Sequence, residues 1–142
     1  LFKKQIFIYT TPKTKSIGYR FKSQLSENAK ILSNFHYIPE MNHNEIEGYK
    51  NSLSSNKLIL WLTDFYDLSQ NIKNVTNSSK MINNIDKLVD QLNISVKNIT
   101  FMSGQYLLLY YLDWVSFYLA ILYKTDPTPV TYIHKLKNMD KQ

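Results

Sequence analysis

Apolar residues fall along this chain in short continuous runs that alternate with longer stretches of three-to-four-residue spacing. Gln5 to Thr10 (QIFIYT), stopped by Pro12, and Lys57 to Thr63 (KLILWLT), preceded by Ser54-Ser55-Asn56, are short apolar runs that predict buried strands. Ile99 to Met102, ending at Ser103-Gly104, and Phe35 to Ile38, ahead of Pro39, predict a third and a short fourth.

Between the runs, Phe21, Leu25, Ala29 and Leu32 give Tyr19 to Ser33 the period of an amphipathic helix. His43 to Lys50, with Asn42 as N-cap, predicts a second helix. Leu68 to Leu92 keeps the same period through an Asn- and Ser-rich middle where it is able to break in two. Gln105 to Lys124 predicts a long apolar helix, and a last one begins near Pro129 with Val130, Ile133 and Leu136 on one face. Short apolar strands alternating with helices predict an α/β three-layer sandwich, an open, mainly parallel sheet with helices on both faces. Ligands of such sheets bind outside the carboxyl ends of the strands.

Composition narrows this picture. A chain of 142 residues, 44% hydrophobic and 14% aromatic, supports one core and so a single domain over residues 1–142. It begins at Leu1 and enters a strand almost at once, which reads as a piece of something longer. Without cysteine there is no disulfide, thiolate metal site or thiol nucleophile to propose, and no targeting signal is visible, so a cytoplasmic location is expected. The net charge of +6 is scattered, and no basic run interleaves with aromatics as a nucleic-acid platform would require. Tyr106 to Tyr123 approaches the length of a membrane span, but Asp113 sits at its middle, where a carboxylate costs about 2.5–3.5 kcal/mol. A helix buried in the core or at a subunit interface is the better reading, with neither nucleic acid nor membrane as partner.

The chemistry-bearing candidates are few. Three glycines, Gly18, Gly48 and Gly104, make neither a dinucleotide fingerprint nor a P-loop. His43-Asn44-Glu45 has the H-x-E form of zinc deaminases but lacks their cysteine pair, so no metal and no cofactor are expected. Of His36, His43 and His134, only His43 lies in a dense polar cluster. By residue type alone it reads as a helix-capping histidine as well as a general acid/base, and Glu27 reads as a solvated helix glutamate.

The ordered segments GYRFKSQLSENAK, PEMNHNEIEGY and DPTPVTYIHKLK resemble the C-terminal sugar isomerase (SIS) domain of bifunctional phosphoglucose/phosphomannose isomerases. The resemblance covers nearly the whole chain. It implies the C-terminal half of a two-domain subunit, each domain a five-stranded parallel α/β sandwich, with the active site formed between domains and completed by a neighbouring subunit of a homodimer. The family's glutamate falls on Glu27, its histidine on His43 sixteen residues later, and its C-terminal lysine on Lys137, with Lys135 as the alternative.

Conversion of glucose or mannose 6-phosphate to fructose 6-phosphate moves a proton between neighbouring carbons through an enediol. Glu27 would carry that proton, His43 would open the sugar ring, and Lys137 would supply positive charge beside the oxygens. The loops that hold the phosphate and an arginine that assists the enediolate belong to the family's N-terminal domain. Arg20, the single arginine here, does not take that role, so the chain alone is expected to be inactive. A regulatory SIS module that binds sugar phosphate without catalysis is the alternative.

Overall fold

The structure, a computed structural model, describes residues 1–51, 56–97 and 100–139. Its strands are β1 (Gln5–Thr10), β2 (Ser33–Tyr37), β3 (Lys57–Asp64) and β4 (Asp90–Val96), and its helices α1 (Lys15–Glu27), α2 (Glu45–Gly48), α3 (Ser69–Ile85), α4 (Phe101–Leu122) and α5 (Thr131–Met139). The strands pair in the order β2-β1-β3-β4, every pair parallel. Four strands, rather than the five implied by the resemblance, lie among the described residues.

Alternation along the strands decides what each face buries. Ile6 and Ile8 of β1 and Leu58, Leu60 and Leu62 of β3 point to one side, where Phe21 and Leu25 of α1 and Leu108, Leu112 and Leu119 of α4 cover them. Tyr9, Ile59 and Trp61 point to the other, under Ile38, Met41, Tyr49 and the α3 residues Val75 and Ile82. Both faces of β3 are covered, which is why KLILWLT is continuously apolar.

At Gly18 of α1 the helix comes so close to the sheet that a Cβ would stand 2.3 Å from Thr10 Cγ2 and 2.9 Å from Phe35 Cε2. Gly18→Ala should therefore lower stability. Overpacking of about 1–3 kcal/mol exceeds the roughly 1 kcal/mol gained in helix propensity, and a lower urea midpoint with unchanged slope is the expected readout.

Several expected elements move. Phe101 and Met102 open α4 instead of closing a strand, because Thr100 and Ser103 form a reciprocal capping box: Ser103 N donates to Thr100 Oγ1 (3.2 Å) and Thr100 N to Ser103 Oγ (3.1 Å). Ile99, where that expected strand began, lies outside the described residues. The third apolar helix ends at Ile85, and Asp90 to Leu92, expected within it, belong to β4. β4 carries a period-2 pattern in Leu92, Ile94 and Val96, masked because Leu88, Val89 and Leu92 also fit the helical period, and two of its polar groups are satisfied by β3: Trp61 Nε1 donates to Gln91 Oε1 (2.7 Å) and Thr63 Oγ1 to Asn93 Oδ1 (3.0 Å). The first helix stops at Glu27, leaving Leu32 90% exposed while Ala29 remains buried. His43 to Lys50 is a 3-10 turn (Glu40–His43), the single turn α2 and another 3-10 turn (Tyr49–Asn51), with Asn44 rather than Asn42 capping α2.

Candidate active site

α1 carries SENAK at its C-terminal end, and the structure gives four of these five residues a structural role. Ser26 Oγ lies 3.3 Å from the carbonyls of both Lys22 and Ile31. Asn28 N donates to Gln24 O (2.8 Å), ending the helix, while Asn28 Nδ2 reaches Gln24 Oε1 (2.9 Å) and Ser116 Oγ of α4 (2.8 Å). Ala29 is buried, and Lys30 takes a left-handed turn (φ 57°) from which its ammonium bonds the carbonyls of Glu27 and Pro129.

Glu27 is the exception. Its carboxylate is exposed and has no hydrogen-bond or ion-pair partner among the described residues. It lines a mostly apolar open groove of about 490 Å³ with Ile31, Leu32, Pro129, Val130 and Tyr132, within the range of small-molecule sites. The rigid surroundings thus present one unengaged carboxylate at the edge of a groove.

His43 closes the 3-10 turn that follows β2, with its side chain exposed. The turn is fastened on both sides. Before it, Met41 is fully buried and Asn42 Oδ1 accepts from Ser78 Oγ of α3 (2.7 Å). After it, Glu45 Oε2 accepts from the Tyr9 hydroxyl (2.8 Å), and Tyr9 in turn lies 2.8 Å from the Tyr49 hydroxyl. Since the Tyr9 proton is directed at Glu45, Tyr49 must donate to Tyr9. Burial first, then the neighbouring Tyr49, raises the Tyr9 phenol well above its ordinary pKa, and burial pushes Tyr49 up to about 12, so both remain protonated donors at neutral pH. Glu45 is therefore engaged with the sheet, while the His43 side chain stays exposed.

Lys137 and Lys135 lie on α5, all of whose residues are exposed. Lys135 Nζ stands 5.8 Å from the centroid of the Tyr132 ring, whereas Lys137 has no partner among the described residues. Arg20 donates to Asp113 (2.9 Å), joining α1 to α4. That pair accounts both for the lone arginine and for the carboxylate in the middle of the apolar helix.

One chain does not bring the two expected proton carriers together. α1 runs back from the carboxyl ends of the strands, so Glu27 lies at the opposite end of the sheet from His43, which follows the carboxyl end of β2. The five residues of β2 alone put about 16 Å between these levels. Each residue presents half of a site. The Lys30 clamp and the Tyr9–Glu45–Tyr49 chain escape sequence reading, the first because a lysine beside a catalytic motif looks solvated, the second because its members are far apart in sequence.

The sequence profile described as the bacterial phospho-glucose isomerase C-terminal SIS domain matches residues 1–139. The chain is 33% identical over 131 residues to a bifunctional phosphoglucose/phosphomannose isomerase of Aquifex aeolicus and 35% identical over 127 residues to one of Caldicellulosiruptor bescii. These alignments cover 92% and 88% of the chain but 40% and 37% of the relatives, so the chain spans about two fifths of their length. Among solved structures, a glucose-6-phosphate isomerase-like protein from Thermus thermophilus superposes over 97% of this chain and 44% of its own, with a TM-score of 0.66 at 15% identity. A hypothetical protein from the same organism does so over 96% and 41%, with a TM-score of 0.71 at 7% identity.

Proposed function

The chain belongs to the family of bacterial phosphoglucose isomerase C-terminal SIS domains, and from that premise we propose that it supplies the proton-transfer half of an aldose–ketose isomerase site. The substrates are glucose 6-phosphate and mannose 6-phosphate, which differ at carbon 2 and share one enediol, and the product is fructose 6-phosphate. The observation that carries this reading is the free Glu27 carboxylate, held at the groove by a motif whose other members are engaged in structure.

In this mechanism His43 moves a proton between the ring oxygen and the hydroxyl to open the sugar, and Glu27 takes the proton from carbon 2 and returns it to carbon 1. Lys137 holds positive charge beside the oxygens as the enediol forms. The phosphate is held by the N-terminal domain of the longer protein. Because Glu27 and His43 lie at opposite ends of one sheet, a complete site takes one of them from a neighbouring subunit, whose surface would also exclude water from the exposed carboxylate. Fructose 6-phosphate production from each substrate by the whole encoded protein tests the reading. An intact protein that binds these sugars without interconverting them would be a regulatory module instead.

Assembly has a physical candidate in α4. Its outer side exposes Tyr110, Trp114, Phe117 and Tyr118, whose rings contact one another at centroid distances of 5.6–6.2 Å, alongside Leu107 and Ile121. An aromatic ridge of this kind suits a second copy of the subunit. Analytical ultracentrifugation of the whole protein should show a dimer, and Trp114→Lys should weaken it by about tenfold or more. A clean monomer at micromolar concentration would remove α4 as the dimer surface.

A further inference from the structure

From the contacts around the His43 turn we infer that Glu45 is a positioning residue for His43, anchored to the sheet by the buried Tyr9 hydroxyl. The inference rests on the isomerase reading for the role of His43, but the anchor itself rests on geometry alone.

His43 stands at the junction of two short helical turns, Glu40–His43 and Glu45–Gly48. Where the 3-10 turn Glu40–His43 meets α2, the bonds that cross the junction are Asn44 N to Met41 O (3.4 Å) and Glu47 N to Asn44 O (3.3 Å), both near the limit of a useful hydrogen bond. Side chains fasten this junction as well. Asn44 Oδ1 caps Glu45 N at 2.6 Å, so the direction taken by Glu45 is transmitted directly to the residue that follows His43. The Glu45 carboxylate then reaches Tyr9, 1% exposed on β1, and Tyr9 is backed by the Tyr49 hydroxyl from the far side of the same turn.

A chain of three polar groups under a low-dielectric roof is stiffer than any one of its bonds, because each donor polarises the next. His36, which pairs in register with Tyr9, has its Nε2 3.9 Å from Glu45 Oε1, beyond hydrogen-bond reach. A glutamate two positions after His43 is therefore tied to β1, while the imidazole is left exposed. A surface glutamate with no such duty would face water.

The test uses the whole encoded protein with Glu45→Ala, Glu45→Gln, His43→Ala and the Glu45→Ala/His43→Ala double variant. Amide exchange is read over residues 40–48 beside isomerase kinetics. Glu45→Ala should lower kcat by about 10–100-fold, as loss of an orienting partner commonly does, with KM changed by less than about twofold. Glu45→Gln keeps an oxygen that accepts from Tyr9 and should restore most of the loss. In the His43→Ala background, Glu45→Ala should have no further effect on kcat, since Glu45 acts through the imidazole.

Exchange over 40–48 should speed up in Glu45→Ala while exchange in α1 stays as in the parent. An unchanged kcat in Glu45→Ala, or an equal loss with and without His43, would overturn the positioning role. A parent protein with no isomerase activity would sink the isomerase reading instead. Exchange alone would then decide the anchor, and unaltered rates over 40–48 would end it.

Discussion

Glu27→Gln should reduce isomerase turnover of the whole encoded protein on the order of 10³-fold, within the range by which a positioned general base accelerates proton transfer. Gln matches Glu in shape and still accepts a hydrogen bond, but it does not take a proton from carbon. Substrate should still bind. Stability should be nearly untouched, because the Glu27 carboxylate is exposed and contacts no described partner, and such surface changes fall within about 0.5 kcal/mol. A thermal midpoint matching the parent, alongside the lost turnover, separates chemistry from unfolding. Parent-like turnover in the variant would remove Glu27 as the base, and an inactive parent would favour the sugar-phosphate-binding module.

The contrast within SENAK gives that prediction its force. Asn28 ties α1 to Ser116 of α4 and Lys30 ties the helix end to Pro129, so changes there would disturb both structure and groove. Glu27 alone among the five is available for a reaction without a structural task to perform as well.

Legibility in the sequence followed burial. β1 and β3 could be read because both faces are covered and their apolar runs are unbroken, and α4 because so much of it is apolar. β4 was missed although Leu92, Ile94 and Val96 alternate with Asn93 and Ser95, because Leu88, Val89 and Leu92 also continue the helical period of the segment before it. The missed start of α4 had a visible signal in Thr100 and Ser103, outweighed by the apolar Phe101 and Met102 between them.

The site divides in a similar way. Glu27 and His43 could be picked out through their motifs, because a motif records residue types in order. Their location at opposite ends of the sheet follows from the β1-α1-β2 connection, which no spacing of sixteen residues reveals. Tyr9 was visible only as a strand residue, and Glu45 as a helix residue and as the glutamate of an H-x-E sequence. Their bond depends on strand register and on how two short helical turns meet after β2.

Separation of the two proton carriers leads to the second large effect, a rescue between two dead proteins. Glu27→Gln and His43→Ala should each be nearly inactive alone, yet unfolding and refolding them together in equal amounts should restore roughly a quarter of parental activity for a two-fold dimer. Random pairing makes about half of the dimers mixed. In a mixed dimer one site receives both lesions, while the other takes its intact Glu27 from one subunit and its intact His43 from the other. Half the dimers with half their sites working gives the quarter. If both residues served a substrate from a single chain, every site would keep one lesion and mixing would restore nothing. The rescue should also depend on protein concentration, falling as dilution separates subunits, and Trp114→Lys in both partners should shift that dependence to higher concentration if α4 is the surface that joins them.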